Sequence, residues 1–450
     1  MRLIDCRSLA SNDYAAVLPR GRFDVAAAAE KVAPICEAVR IEGEAALRRF
    51  SQQFDHVVPD QWRVDPATAA QCAAQLDPDL AAALRTAIER RRAVSERELL
   101  PDNVAVELAP GADVAIRSVP VERVGLYVPG GLAPLASSVI MNVVPAQVAG
   151  VRSLAVASPP QADHGGLPHP TILAVCHMLG VEEIYAVGGA QAIAMFAYGV
   201  DGLCASVDMI TGPGNIYVVA AKRLVKGLVG IDSEAGPTEI AVLADDSADP
   251  RFVAADLLSQ AEHDPGAGSV LVTMDEALVT GVETELERQL QRAGHGDRVR
   301  TALSGPQSAV MVVRDLDQGI DIVNAYAAEH LEIQTRQAGH VASRIHNAGA
   351  IFVGGYSPVP LGDYSAGSTH VLPTSGTARH SSGLTVRSFL KTIHVIDYSR
   401  DALADIGASI ERFALAENLP GHAHAIAVRL DDDSSPGGPD GAQPGRGGQA

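Results

Sequence analysis

The chain reads as an α/β protein with two Rossmann-like parallel-sheet domains and small N-terminal and C-terminal extensions. Three observations carry this reading. From Val124 onward, short continuous apolar runs alternate with helical segments, the pattern of strands buried on both faces of a parallel sheet. The alternation starts afresh at Glu239, so the strands fall into two series. The 450 residues, 47% hydrophobic and 20% charged, suffice for more than one core.

Taken in order, residues 1–22 read as an arm. VAAAAEKVAPICEAVR from Val25 and IEGEAALRRFSQQFD from Ile41 read as helices. Pro78–Leu100 is a charge-rich helix whose ERRRAVSERE face is expected in solvent. Val104–Val119 reads as extended, interrupted at Pro110-Gly111. VGLYV then forms a strand, and Ser137 or Ser138 caps a helix to about Ala149 with Pro145 as a kink. SLAVASPP is a strand, and Pro170–Leu179 is a helix stopped by Gly180. EIYAVGG leads into AQAIAMFAYG, and SVDMITGPG into NIYVVAAKRLVKGL. In the second series EIAVLADD precedes a helix opened by Asp249-Pro250. SVLVTM, SAVMVV and AIFVGG are its further strands, and a helix from Asp317 is expected to carry VNAYAAEHLEI. AIFVGG runs into the loop Leu361–Leu384, LGDYSAGSTHVLPTSGTARHSSGL. An extended segment, a helix near Arg400–Ala416 and a short end helix follow. Residues 431–450 read as a disordered tail.

Composition excludes several classes. A formal charge of −19 disfavours non-specific nucleic-acid binding, which needs a basic surface. The N-terminus lacks an apolar core of signal-peptide length. The longest apolar stretch, Val139–Val151, is interrupted by Asn142, Pro145 and Gln147 and falls short of the ~20 residues of a membrane helix. Five scattered cysteines without a CxxC point to a reduced, cytoplasmic protein with neither a disulfide framework nor a thiolate zinc site.

The residues that could do chemistry lie late in the chain. Gln260 and His263, three apart at a helix end, share one face and could ligate a metal; from this stretch alone the simpler reading is a helix-end His263 interacting with terminal carbonyls. His330 falls on the apolar face of its helix, either a satisfied core residue or, with Glu329, a pair of proton acceptors whose pKa values burial could separate. Asp363 is a catalytic carboxylate or an Asx-turn residue. His370, His380, Glu417, His422 and His424 are ligands, substrate contacts or surface residues. Gln260, His263, Asp363 and His422 together make an N/O set without sulfur that suits zinc or another divalent metal. No complete GxGxxG follows any strand, and GPGN after VDMIT is either a phosphate-facing turn or a plain βα turn. A Gly/Ser/Thr-rich loop as long and as internal as Leu361–Leu384 is more often functional than a linker.

VGLYVPGGLAPLASSVIMNVVPAQVAG, VGGAQAIA, TGPGNIYVVAAKR, AGPTEIAVLAD, DLLSQAEHD, AEHLEI, the loop, and ENLPGHAHA recur in the order found in histidinol dehydrogenases. From Val124 to Ala425 the chain resembles that family; the first hundred residues match it less distinctively. The resemblance implies oxidation of L-histidinol to L-histidine through L-histidinal, with two NAD and one Zn2+ per subunit, as the last steps of histidine biosynthesis. It implies zinc on Gln260, His263, Asp363 and His422, acid/base roles for Glu329 and His330, and substrate contacts by these six residues with Thr238, His370 and Glu417. Tyr127, Gln191 and Asn215 would line the NAD site. Residues 23–126 plus 238–384 would carry the zinc and acid/base residues, and 127–237 the NAD contacts. In a homodimer, 385–430 would reach the partner, so Glu417 and His422 would act in trans. Thr238 stands where many members have Ser, and Gly421 where Ala is frequent; neither change removes a functional group. The rival readings are oxidation of another small amino alcohol or polyol, a zinc hydrolase, and a silent binding protein. His380 and His424 receive no role.

Overall fold

The computed structural model describes residues 1–431 apart from 22–23, 100–102, 131–133, 235 and 293, so the tail 432–450 lies outside the described residues. The chain divides into two compact units, one of residues 1–99 and 120–390, the other of 100–119 and 391–450.

The strands are β1 (Arg2–Asp5), β2 (Asn103–Ala109), β3 (Ala112–Pro120), β4 (Arg123–Tyr127), β5 (Ser153–Ser158), β6 (Glu183–Ala186) and β7 (Met209–Thr211). They continue with β8 (Gly230–Ile231), β9 (Glu239–Ala244), β10 (Gly268–Thr273), β11 (Ala309–Val312), β12 (His330–Gln334), β13 (Ala350–Val353) and β14 (Leu390–Tyr398). The larger unit holds two parallel sheets. The first runs β1-β11-β10-β9-β12-β13, the second β6-β5-β4-β7-β8. In each, the chain builds outward to one side and then returns to the other. The strand order therefore reverses between β9 and β12 in the first sheet, and between β4 and β7 in the second. The smaller unit pairs β14 with β3 and β3 with β2, the latter antiparallel.

The apolar runs form buried strands because alternate residues feed two cores. In β9, Ile240, Val242 and Ala244 join one core with Leu257 of helix Pro250–Ala261. Ala241 and Leu243 join the other, with Val323 of helix Leu316–Tyr326. The second sheet divides likewise, Tyr127 and Ile210 on one side and Val124, Leu126 and Met209 on the other. Among the described residues no helix is long and apolar enough to cross a membrane.

Several elements differ from the sequence reading. Residues 1–22 supply β1, an edge strand paired with β11. Residues 100–119 group with the C-terminal segment because β3 pairs with β14. Ser137 and Ser138 cap nothing: the helix starts at Ala136 and runs through Pro145 to Ala149. The expected helix over VNAYAAEHLEI ends at Tyr326. Ala327 turns left-handed at φ 50°, its N–H bonding Val323 O, so Glu329 precedes and His330 opens strand β12. Asp363 lies not in a loop but on the short helix Val359–Tyr364. On the face read as solvated, Arg91 is wholly buried. Its guanidinium pairs with Glu98 at 3.1 Å and donates to the carbonyls of Gly367 at 3.1 Å and Leu384 at 3.4 Å. Two carbonyls of the loop thus take their donors from a buried cation on helix Pro78–Glu98.

One polar cluster sits inside the first sheet's core. Gln334 donates to Asp256 and Glu332, each at 3.0 Å, and Glu332 also accepts the Val359 N–H at 3.0 Å. Burial and the neighbouring Asp256 carboxyl push Glu332 up to about 9. The folded chain thus holds a proton that the unfolded chain releases. Stability from Glu332 is complete at acid pH, below its unfolded pKa, and is lost as pH rises toward about 9. Glu332→Gln is expected to leave Tm unchanged at pH 4 and to stabilise at pH 9, by on the order of 1–2 kcal/mol. Thermal unfolding across that range checks it.

Candidate active site

The first site gathers at the amino ends of β9 and β12. Gln260, in the last turn of helix Pro250–Ala261, is fully buried. Its amide Nε2 donates to Thr238 Oγ1 at 2.6 Å, and Thr238 donates onward to Glu329 Oε2 at 2.5 Å. The Glu239 N–H also donates to Glu329 Oε2, at 3.0 Å. Gln260 Oε1 is buried with no hydrogen-bond partner, a carbonyl oxygen whose lone pairs are free to accept.

Burial pushes Glu329 up to about 8, against the lowering effect of the Thr238 and Glu239 donors. Glu329 is therefore poised to exchange a proton near neutral pH. His330 is held neutral because burial disfavours the imidazolium. Its Nδ1 meets Glu239 O at 3.2 Å, and its Nε2 is buried without a hydrogen-bond partner, 4.0 Å from Asp363 Oδ1. A neutral imidazole with one nitrogen anchored on a carbonyl presents the other as a proton acceptor.

Asp363 also feels His263, which is exposed just beyond the Gln260 helix. His370 anchors beside them, Nδ1 to Asp363 O at 3.1 Å and Nε2 to Ser138 Oγ at 3.2 Å. Burial pushes its imidazole down to about 4. Thr238, Gln260, His263, Glu329, His330, Asp363 and His370 thus converge. Glu417 and His422 lie in the smaller unit, Glu417 at the end of helix Arg400–Ala416 and His422 in the first turn of helix Pro420–Leu430, both exposed. Among the described residues no three His, Cys, Asp or Glu side chains cluster closely enough to hold a metal. The larger unit contributes one imidazole, one carboxylate and the orphaned Gln260 carbonyl, a hard-to-borderline donor set that fits zinc if a further ligand is supplied.

The second site is the carboxyl edge of the second sheet, at its reversal between β4 and β7, where dinucleotide crevices form in such sheets. Tyr127 closes β4, and its buried hydroxyl accepts the Gly189 N–H at 3.1 Å. Gln191 is buried in the first turn of helix Gly189–Tyr198. Asn215 caps helix Ile216–Val225 by accepting from Tyr217 and Val218. Two features here escaped the sequence reading. The buried pair Lys222–Asp232 clamps Gly212, Lys222 donating to its carbonyl at 3.1 Å and Asp232 accepting its N–H at 2.8 Å. Asp55 abuts Gly188, with Oδ2 buried and unpartnered, and burial pushes its carboxyl up to about 6. Sequence offered no signal for Asp55. The Lys222–Asp232 pair could have been suspected only from charges flanking an apolar turn.

The histidinol dehydrogenase family model matches residues 18–430. A histidinol dehydrogenase of Cutibacterium acnes is 62% identical over 435 residues, 95% of this chain and 99% of that protein. The chain belongs to the histidinol dehydrogenase family. Another histidinol dehydrogenase, from Thermobifida fusca, is 60% identical over 93% of this chain and 95% of its own length. The crystal structure of histidinol dehydrogenase from Elizabethkingia anophelis superimposes with a TM-score of 0.88 at 32% identity, covering 96% of this chain and 98% of that one. The two-sheet architecture is therefore that of a histidinol dehydrogenase, an oxidoreductase family.

Proposed function

We propose that the chain oxidises L-histidinol to L-histidine through L-histidinal, using two NAD and one zinc ion per subunit, in the last steps of histidine biosynthesis in the cytoplasm. The observation that carries the reading is the Gln260–Thr238–Glu329 relay, which leaves the Gln260 carbonyl orphaned beside a neutral His330. Gln260, His263, Asp363 and, from the partner subunit of a homodimer, the residue corresponding to His422 would hold the zinc. The ion would supply a template and Lewis-acid chemistry for the substrate's imidazole and amino nitrogens. Thr238, His370 and Glu417 would orient the substrate, Glu417 also in trans. Tyr127, Gln191 and Asn215 would face NAD.

In the first half-reaction His330 takes the alcohol proton while a hydride leaves the carbinol carbon for NAD, giving aldehyde and NADH. In the second, Glu329 takes a proton from water as its oxygen bonds to the aldehyde carbon. The resulting hydrate anion gives its hydride to a second NAD and the proton of its remaining hydroxyl to His330, which has by then released the alcohol proton to solvent, leaving the carboxylate. Burial of the pair would keep the aldehyde from bulk water. Zinc analysis combined with product stoichiometry tests this: two NADH per histidinol are expected, and a firm ratio of one removes the second half-reaction. Turnover of a different small amino alcohol or polyol in preference to histidinol would favour that alternative. Zinc-dependent hydrolysis without NAD would favour a hydrolase.

A further inference from the structure

The buried Asp256–Glu332–Gln334 cluster has no place in the proposed chemistry, yet it touches three of the elements that carry the first site. Asp256 lies on helix Pro250–Ala261 four residues before Gln260, on the same face. Glu332 lies on β12 two residues after His330, on the same side of the strand. Val359, whose N–H the Glu332 carboxyl accepts, opens helix Val359–Tyr364 four residues before Asp363. Each anchor is thus one structural period from the site residue on its element, a separation of about 6 Å along each helix. Pro358, at the start of the Asp363 helix, gives no side-chain cap, so Glu332 supplies the acceptor that the first turn lacks. Asp256 is 7% and Glu332 1% exposed, and two carboxyls buried so deeply hold together only by sharing a proton and the Gln334 amide.

We propose that Glu332 and Asp256 are positioning residues that set the spacing of Gln260, His330 and Asp363, and thereby the affinity of the site for its divalent cation. This rests on the zinc reading above. A core of apolar residues could join the same elements, but slippage by a fraction of an ångström would cost it little. Directional bonds to the Val359 N–H and the Gln334 amide fix the register of the three elements.

The test uses the intact dimeric holoenzyme and zinc itself. Chelator competition is measured for wild type, Glu332→Ala, Glu332→Gln and Asp256→Ala, together with the visible spectrum of the cobalt-substituted forms. Gln at 332 keeps an acceptor for Val359, and its amide donates to the otherwise unpartnered Gln334 Oε1 once the Gln334 amide turns over, so its zinc affinity and cobalt spectrum should match wild type. Glu332→Ala and Asp256→Ala should each release zinc about 10–100-fold more readily, with altered cobalt bands. Should Glu332→Ala fail to fold, Asp256→Ala carries the comparison. Equal losses in the Gln and Ala variants overturn the proposal. So do Ala variants that are less stable but bind zinc as wild type does. A wild-type enzyme that holds no zinc overturns the metal reading itself, and is distinguishable because it needs no variant.

Discussion

Glu329→Gln is expected to slow oxidation of the aldehyde by about 10²–10⁴-fold, the scale of a lost general base, and to slow oxidation of the alcohol far less. The two halves are separable by supplying histidinal directly and comparing its NADH burst with that from histidinol. The asymmetry follows from geometry. Glu329 Oε2 already accepts from Thr238 and from the Glu239 N–H, and a Gln at 329 can accept both through its carbonyl. The relay to Gln260 and the fold then survive, and what disappears is the ability to take a proton from water. The alcohol proton goes instead to His330, whose anchoring at Glu239 O is untouched by the change. Burial pushes Glu329 up to about 8. The wild-type aldehyde step should therefore rise with pH as Glu329 ionises, and that rise should vanish in the Gln variant. With the cation bound, its midpoint falls below about 8, because a nearby positive charge favours the carboxylate. Equal losses in both half-reactions would take the water-activating role away from Glu329.

The sequence carried the layer architecture well because burial on both faces leaves an unmistakable record. Six consecutive buried residues in β9 and again in β10 can be little else than central strands. It misplaced Glu329 and His330 for a related reason. The run VNAYAAEHLEI keeps a helical apolar spacing past Tyr326, and Ala327 is not a residue that announces a left-handed stop, since Gly or Asn would be the usual signal. Tertiary pairing of β12 with β9 overrode that periodicity. The stretch Leu361–Leu384, read as one loop too long and too internal for a linker, begins as the end of helix Val359–Tyr364 and is tied to helix Pro78–Glu98. What holds it was invisible, because Arg91 sits among Arg90, Arg92 and Arg97 and nothing local distinguishes the buried cation from its solvated neighbours. Asp256 and Glu332 carry no local signal in the sequence. Only coordinates bring carboxyls 76 residues apart in sequence onto one Gln334 amide.

Gly212→Ala is expected to damage the second sheet's carboxyl edge while sparing the first site. Gly212 holds φ +115°, and a Cβ built there would lie 2.0 Å from the Tyr127 carbonyl oxygen. Both effects act together. An L-residue is strained in that backbone region, and the clash is with main chain of the neighbouring strand, which cannot rotate away. Nor can the turn retreat, since Lys222 grips the Gly212 carbonyl and Asp232 its N–H. The strain must therefore open the gap between β4 and β7, where the sheet reverses, where Tyr127 ends β4 and where Asn215 caps the helix after β7. KM for NAD should rise by more than about 10-fold, with a destabilisation of about 2–4 kcal/mol. Zinc content should stay at the wild-type level, because Gln260, His263 and Asp363 belong to elements around the other sheet. The split between the two readouts is the informative part: a variant that folds, keeps its zinc and retains the wild-type KM for NAD would move the dinucleotide away from this edge. Under the proposed function, a turn lacking the full GxGxxG pattern would receive the dinucleotide. The close approach that glycine permits is used here between β4 and β7, and the buried Lys222–Asp232 pair, rather than a third glycine, holds the turn to the helix behind it.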